Sequence, residues 1–455
     1  MKIFRDKTNS FLNSYYYPIL VFIAVLISHT FSLELLGLIV ISISAALGFI
    51  VCDNVRFLIA PLTMFTLNFS EKTISNGTYI TRPYLVAIII YSVFLLSVIV
   101  AHFIIHKKQV DFCGLVSSKL FLGFVAICSA FLLNGLFNFN EYVYGNIIYS
   151  IALVVSFGLI FLLFRTNYKS NSNNKNYMLY VLYLVSILAT LQFFLGFISQ
   201  IKFNNGEIVK ESVVFGWGMW NNMGGLLTML LPIHFYFAST VKKYGILFYI
   251  SGGISYLAII LSLSRSSLLV STFIIIVSAL ISCFCGENKK TNRIITGAIA
   301  IVGIVGIIVL WDKISNILGD YLSRGLDDNG RFDIYKRGLE NFLKHPVFGG
   351  GFHSAVAQDY QFVSFLPDRY HNTIIQIMAT CGIVGILAYL YHRYETIILF
   401  WKKRSLFSAF CGLCILGLLL TSLLDNHMFN IYPTFIYSII LAVIDSDNSV
   451  QTKFN

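Results

Sequence analysis

Apolar runs long enough to cross a bilayer recur along the whole of this chain, separated by short polar stretches. A spanning helix needs about 20 mainly apolar residues, and lipid offers its backbone no hydrogen-bond partner, so each run is forced into helix. The candidate spans are Tyr17–Phe31, Leu35–Val51, Phe57–Phe69, Tyr84–Ile105, Leu120–Phe137, Ile147–Phe164, Met178–Ile198, Phe215–Phe237, Ile246–Leu263, Ser267–Cys283, Ile294–Trp311, Thr373–Phe400, Leu406–Leu424 and Ile431–Ile444. Phe57–Phe69 is short and reads as half-buried or re-entrant. The expectation is an all-α polytopic membrane protein with 12–14 transmembrane helices and one large outer loop containing short amphipathic helices. Composition agrees: 57% of the 455 residues are apolar and 12% charged, against about 25% charged in soluble domains.

Charge gives an orientation. With Met1 on the cytoplasmic side, alternate loops collect most of the 32 basic residues, among them Lys2, Arg5, Lys7, Lys107, Lys108, Lys242, Lys243, Lys289, Lys290, Arg293, Arg393, Lys402, Lys403 and Arg404. Lys/Arg bias in short loops fixes topology, so the net charge of +11 reads as positive-inside bias with both termini cytoplasmic. No basic stripe interleaves with aromatics, which argues against a nucleic-acid partner. The first span has no small-x-small cleavage site near its end and reads as a retained anchor. None of the eight cysteines falls in an assigned outer loop, so no disulfide framework is expected. Cys411-Gly-Leu-Cys414 has redox spacing but lies inside an apolar run, where helix packing is the better account.

The organisation expected is an N-terminal transmembrane bundle over 1–311, a large outer loop over 312–371 with the catalytic elements, and C-terminal helices over 372–455. A connection this long between spans is usually functional. Within it, Ile334, Tyr335, Gly338, Leu339, Phe342 and Leu343 recur at helical spacing, which predicts an amphipathic helix ended by Pro346. The glycines Gly349, Gly350 and Gly351 follow, and they suit either an anion-binding nest of N–H groups or a plain turn.

Three groups could carry chemistry. The first is His371-Asn372, which ends the long loop and opens a span, with Gly382-Ile-Val-Gly385 nine residues on. A histidine at a helix entrance can be an interfacial hydrogen-bonding residue. With an ordinary pKa near 6.5, it can also take a proton from a hydroxyl. Gly382 and Gly385, three apart, would let another helix pack closely and aim that imidazole. The second is Ser264-Arg265 at an outer helix end, where the arginine either snorkels to headgroups or binds phosphate. The third is the near-neutral loop set that includes Arg331, Arg337 and Arg369, of which Arg331 is the choice for a ligand-facing cation. No His/Cys cluster has metal-ligand spacing, and no Gly-rich loop precedes a Lys-Ser/Thr, so neither a metal nor another cofactor is expected.

His371-Asn372-x9-Gly382-x-x-Gly385 after a long outer loop resembles the bacterial O-antigen ligase/O-antigen polymerase superfamily. Ser264-Arg265, Arg331-x3-Tyr335, the Pro346-x-x-Gly349-x-Gly351 turn and Trp217-Gly-Met-Trp220-Asn221-Asn222 support the resemblance, which covers roughly Phe215 to Gly385. It implies a glycosyltransferase of the bacterial inner membrane with its active site on the outer face. Its donor would be a glycan on undecaprenyl pyrophosphate and its acceptor another glycan or lipid A–core. Flippase and chain-length regulator proteins would be further partners beside membrane lipids. On that resemblance His371 is the base. Arg265 and Arg331 hold the pyrophosphate without a metal, and Asn372, Ser264, Tyr335, Arg337, Gly349, Gly351 and Arg369 line the substrate site. Inversion at the anomeric carbon is expected for a single displacement. The expected activity is polymerisation, with ligation to lipid A–core as the alternative. A transporter or flippase is the alternative from another class, and it would need broken paired helices and internal repeats.

Overall fold

The computed structural model describes residues 2–69, 97–107, 110–138, 144–168, 170–204, 207–208, 213, 215, 220–309, 311, 330–352 and 370–447. In chain order its helices are α1 (Lys2–Leu12), α2 (Tyr16–Thr30), α3 (Glu34–Val51), α4 (Ile59–Met64), α5 (Phe112–Ser117), α6 (Lys119–Leu132), α7 (Tyr144–Val154), α8 (Ile160–Asn167), α9 (Ser172–Gln200), α10 (Trp220–Thr240), α11 (Gly245–Leu261), α12 (Arg265–Phe284), α13 (Lys289–Val309), α14 (Arg331–Lys344), α15 (Thr373–Lys402), α16 (Leu406–Leu424) and α17 (Ile431–Asp445). The one ribbon described pairs Phe203–Asn204 with Glu207–Ile208. The molecule is thus an all-α polytopic membrane protein.

Among the described residues, seven helical segments are long and apolar enough to cross a membrane, or eight if α1 and α2, bent by 70°, form one broken span. Shorter apolar helices at Val55–Met64, Lys119–Leu132, Gly245–Leu261 and Tyr432–Asp445 stand beside them. Of the other expected spans, Ile294–Trp311 falls on α13 and most of Tyr84–Ile105 lies outside the described residues. The expected short span at Phe57–Phe69 is broken into two 3-10 turns around α4. It is buried along most of its length and tied to α9 by the Gln192 amide, which donates to Leu67 O at 2.7 Å.

α10 is the axis of the fold. It is the least apolar of the seven candidates, yet 89% of its window is buried. Both facts have one cause: Thr228, His234 and Ser239 face protein instead of lipid, where a polar side chain finds partners. His234, for example, lies 2.9 Å from Ser186 Oγ on α9 and 2.9 Å from Ser251 Oγ on α11. Its Trp220–Gly225 end is continuous helix, and residues 217–219 before it lie outside the described residues.

Of the expected outer loop 312–371, residues 330–352 and 370–371 are described. The predicted amphipathic helix is there as α14, with Asp333 in its first turn and its C-cap at His345, just before Pro346. An acidic first turn suits the positive end of the helix dipole.

Candidate functional site at the His371 end of the bundle

α15 is not one straight helix. At Gly382 the backbone turns to φ 63°, ψ −155°, and the chain breaks. In an unbroken helix the Ile383 and Val384 amides would donate to the Ala379 and Thr380 carbonyls. Here Ile383 N donates to Pro346 O at 2.8 Å and Val384 N to Val347 O at 3.2 Å. Gly350 N donates to Ala379 O at 2.8 Å and Gly351 N to Thr380 O at 3.1 Å. The Pro346–Gly351 turn is therefore inserted into the helix ladder and replaces both bonds that the break removes. Backbone meets backbone, which is why glycines are needed. A Cβ on Gly382 would lie 2.5 Å from Val347 O, and one on Gly349 2.2 Å from the Thr380 carbonyl carbon. Both residues also have φ between +60° and +75°.

This corrects two readings of the sequence. Gly382 and Gly385 do not form a helix-packing pair: Gly382 is the break, and Gly385 lies where a Cβ would meet Ile377 and Cys381 on the first half of the same helix. The nest is not available either, because the amides of Gly349, Gly350 and Gly351 are all spent on protein carbonyls. The turn is structural. Gly135 N and the Asn138 amide clasp it from behind α6, and Phe352 seals it by packing on Phe131, Tyr149 and Phe429.

The first half of α15 carries the His371-Asn372 pair. Asn372 is the N-cap: its Oδ1 accepts from Ile374 N at 2.9 Å and Ile375 N at 3.1 Å. Its Nδ2 donates to Leu423 O at 3.0 Å, and Thr373 Oγ1 donates to Ser422 O at 2.9 Å, so the start of α15 is pinned to the end of α16. The side chain that the resemblance assigns to substrate is thus occupied in positioning the helix. His371, just before the cap, has φ 49°, a left-handed conformation that a non-glycine residue holds only when its surroundings impose it.

What imposes it includes Asp425, the C-cap of α16. His371 Nδ1 lies 2.9 Å from Asp425 Oδ1, with the imidazole side chain 34% exposed and the carboxylate 11%. Burial alone would raise the Asp425 pKa. The hydrogen bond from His371, the nearby His427 and His371 rings, and the hydrogen bond from Asn221 together hold it below the ordinary carboxylate range. An ionised carboxylate only accepts hydrogen bonds, so Nδ1 carries the proton and Nε2 is the basic nitrogen. Asn221, on the first turn of α10, donates to the other carboxylate oxygen at 3.1 Å. Tyr335 on α14 reaches His371 O with its hydroxyl at 3.5 Å.

Ser264 and Arg265 come to the same end by way of α10. The α11–α12 joint is a knuckle of buried serines, Ser262, Ser264, Ser266 and Ser267, turned by Leu263 at φ 52°. Gly224 admits it, since a Cβ there would lie 2.6 Å from Ser267 Oγ. Gly225 next to it admits His427, whose Nε2 would be 2.7 Å from a Cβ. Within two turns of one helix, then, α10 touches the serine knuckle, His427 and Asp425. Arg265, the first residue of α12, is exposed beside that knuckle. Arg331 is half-buried one helical turn before Tyr335 on α14, while Arg337 is exposed further along that helix. Arg369 lies outside the described residues.

Asp425, Asn221 and His427 were not singled out for chemistry from the sequence. Asp425 did leave a trace there: a carboxylate at the C-terminal end of an apolar helix opposes the helix dipole and needs a specific partner. Among the described residues, no group of three or more His, Cys, Asp or Glu is placed to hold a metal ion.

The arrangement can hold a hydroxyl against a carboxylate-oriented imidazole, and Arg265 and Arg331 stand at the first positions of two other helices. A search of curated proteins returns no match. Residues 250–390, which run from α11 through the serine knuckle, Arg265, α14 and the glycine turn to the break in α15, match the family model described as O-Antigen ligase. Through this stretch the chain is similar to the O-antigen ligase/polymerase superfamily of membrane proteins.

Proposed function

We propose that the protein transfers glycan from a lipid pyrophosphate carrier, undecaprenyl pyrophosphate, to a sugar hydroxyl on the outer face of the bacterial cytoplasmic membrane. The observation that carries this is the His371–Asp425 pair, 2.9 Å apart, at the end of the bundle where Arg265 and Arg331 also lie. The acceptor hydroxyl oxygen attacks the anomeric carbon and its proton passes to His371 Nε2. The bond from the anomeric carbon to the phosphate oxygen breaks, and the lipid pyrophosphate leaves with the bonding pair. Asp425 fixes the His371 tautomer and stabilises the imidazolium that forms. Arg265 and Arg331 take the charge that develops on the leaving group, since guanidinium matches phosphate oxygens in bidentate geometry. One displacement inverts the anomeric centre.

In this reading both termini are cytoplasmic and the His371 end faces outward, as the charge bias predicts. The reaction is polymerisation, with a second lipid-linked glycan as acceptor. Ligation to lipid A–core uses the same donor half of the site. Purified protein in detergent, given lipid-linked glycan and no membrane gradient, elongates it; His371→Ala protein that transfers at the wild-type rate removes the base assignment. Deletion in the host separates the two acceptors. Loss of a polymerase leaves surfaces capped with one repeat unit, and loss of a ligase leaves uncapped core.

A further inference from the structure

The first half of α15 is fixed at both of its ends to the same end of the bundle. Asn372 and Thr373 are bonded to Leu423 and Ser422, where α16 stops after running back beside α15. Thr380, at the other end, accepts from Gly351 of the inserted turn, and Phe348 O of that turn accepts from Gly135 N, just past the end of α6. α6 accompanies the second half of α15, with the Phe124 and His392 rings 4.5 Å apart, and it ends where the break begins. The segment Thr373–Cys381 therefore lies across the bundle end, and the fold-back at Gly382 would bring a Cβ on Gly385 within 3.0 Å of Ile377 Cγ2. α14 runs along this segment in the same direction. Tyr335 reaches His371 O, a Cβ on Gly338 would meet Ile375, and Asn341 Nδ2 donates to Ala379 O at 3.1 Å. It is a helix laid over the end of the spans.

α14 has three faces. Gly338 and Asn341 are buried, against Ile375, Tyr370 and Ala379. At about 100° per residue, Phe332, Leu339 and Leu343 fall on a second face, within about 40° of one another. They are 65%, 44% and 74% exposed among the described residues. Asp333, Lys336, Arg337, Glu340 and Lys344 are exposed on the third face. The apolar strip adjoins the buried face on one side and the charged face on the other. Past the helix, Val347 is exposed too, and so is Phe137, whose ring lies 5.7 Å from that of Phe348. Phe137 follows α6, an apolar helix whose last turn exposes Leu132. The strip thus runs on into the apolar surface at the end of a bundle helix. An exposed apolar patch rimmed by charge marks a surface that something covers.

We propose that α14 is seated in the bilayer: Phe332, Leu339 and Leu343 enter the boundary between headgroups and acyl chains in the leaflet on the His371 side. The charged face stays among headgroups and water. Continuity with the apolar end of α6 makes lipid the occupant, and the division into one apolar and one charged face is what an interfacial helix needs. The inference stands without any catalytic role for His371. It has a consequence for the site nonetheless. α14 carries Arg331 and Tyr335, and Tyr335 touches His371 O, so the depth at which α14 sits sets the height of these groups over the membrane.

The test places nitroxide labels on the full-length protein in nanodiscs of phosphatidylcholine and phosphatidylglycerol. Cys113 and Cys285, which are exposed, are first replaced by serine. Single labels then follow at Phe332→Cys, Leu339→Cys and Leu343→Cys on one face, and at Lys336→Cys, Glu340→Cys and Lys344→Cys on the other. Relaxation by oxygen, which concentrates among acyl chains, is compared with relaxation by a water-soluble nickel chelate. The oxygen-to-nickel ratio is expected to be roughly threefold or more higher at the first three positions than at the second three, alternating with the helical period. Equal nickel access on both faces means that the strip faces water, and it overturns the proposal. Low access of both reagents at Phe332, Leu339 and Leu343 means that protein covers the strip, from elsewhere in this chain or from a second molecule, and it overturns the proposal as well. All six side chains are exposed, so a label displaces no core residue. Should one variant still not fold, the remaining positions on each face decide.

Discussion

The two ends of the helix bundle use charge in opposite ways. At the end remote from His371, cations are neutralised by protein. Arg165 is bonded to Asp445 and lies 3.2 Å from Asp111, and its Nη2 donates to Gly114 O at 2.8 Å. Lys175 pairs with Asp447 at 2.7 Å, and Lys403 donates to the Asp447 carbonyl. Arg56 is held by Asn174 at 2.7 Å and by the Asn13 carbonyl, under the Tyr177 ring. These bonds join segments 43 to 280 residues apart, and they act as staples. At the His371 end the bonds that hold the helices together are neutral, made by Asn372, Thr373, Gln376, Asn426 and the serine knuckle. The one described ion pair there, His371–Asp425, is part of the proposed chemistry.

If that contrast is right, substitutions at the two ends separate activity from stability. The largest effect is expected at His371. His371→Ala should lower the transfer rate on the order of 10³-fold, as loss of a general base does. Initial-rate assays on purified protein check it. Asp425→Asn keeps the shape but removes the charge that orders the imidazole, and a drop on the order of 10²-fold is expected with donor affinity retained. Activity within twofold of wild type would mean that the pair is only a helix tie.

Arg165→Ala at the opposite end should do the reverse. It leaves Asp445 and Asp111 without their cation, which costs about 3 kcal/mol where the pair is buried and less for the exposed Asp111. Turnover per folded molecule should stay near wild type, as a melting curve and an assay on the same preparation would report. Gly382→Ala belongs to both ends of the comparison. It forces a Cβ into Val347 and into a left-handed backbone, a cost of about 2 kcal/mol or more, and it should disturb the His371 half of α15 as well.

The smallest effect concerns pH. The folded-state pKa of Asp425 is depressed below its ordinary 3.8. A depressed carboxylate contributes stability that is fully present above the ordinary value and is lost as pH falls towards the folded one. The stability difference between wild type and Asp425→Asn should therefore be flat from about pH 5 to 8 and shrink only in stronger acid. A difference that changes across neutral pH would show that Asp425 titrates there.

Much of the bundle was legible because lipid simplifies the code. Apolar runs had to be helices, and spans such as Leu406–Leu424 ended on the residues expected. α14 was legible because its apolar positions repeat at 3.6 residues and Pro346 stops it. The His371 position was legible as an unusual polar start to an apolar helix. The partner Asp425 was not, because pairing two residues 54 apart depends on how α15 and α16 lie together, which no local pattern encodes. Gly382 and Gly385 misled for a similar reason. Glycines three apart look alike whether they admit a neighbouring helix or break their own, and here the decider is the glycine turn thirty residues upstream.

The inserted turn has a consequence for how such proteins can be recombined. The donors and acceptors that close the α15 break belong to the loop before it, and Asn134, Gly135 and Asn138 behind α6 hold that loop in place. A chimera that exchanges the loop but keeps the helix would mismatch four backbone bonds buried inside the protein. The smallest transplantable unit therefore runs from α14 through Gly385, and it must travel with a compatible end of α6. Change in this region would have to alter that unit as a block, or alter side chains around it.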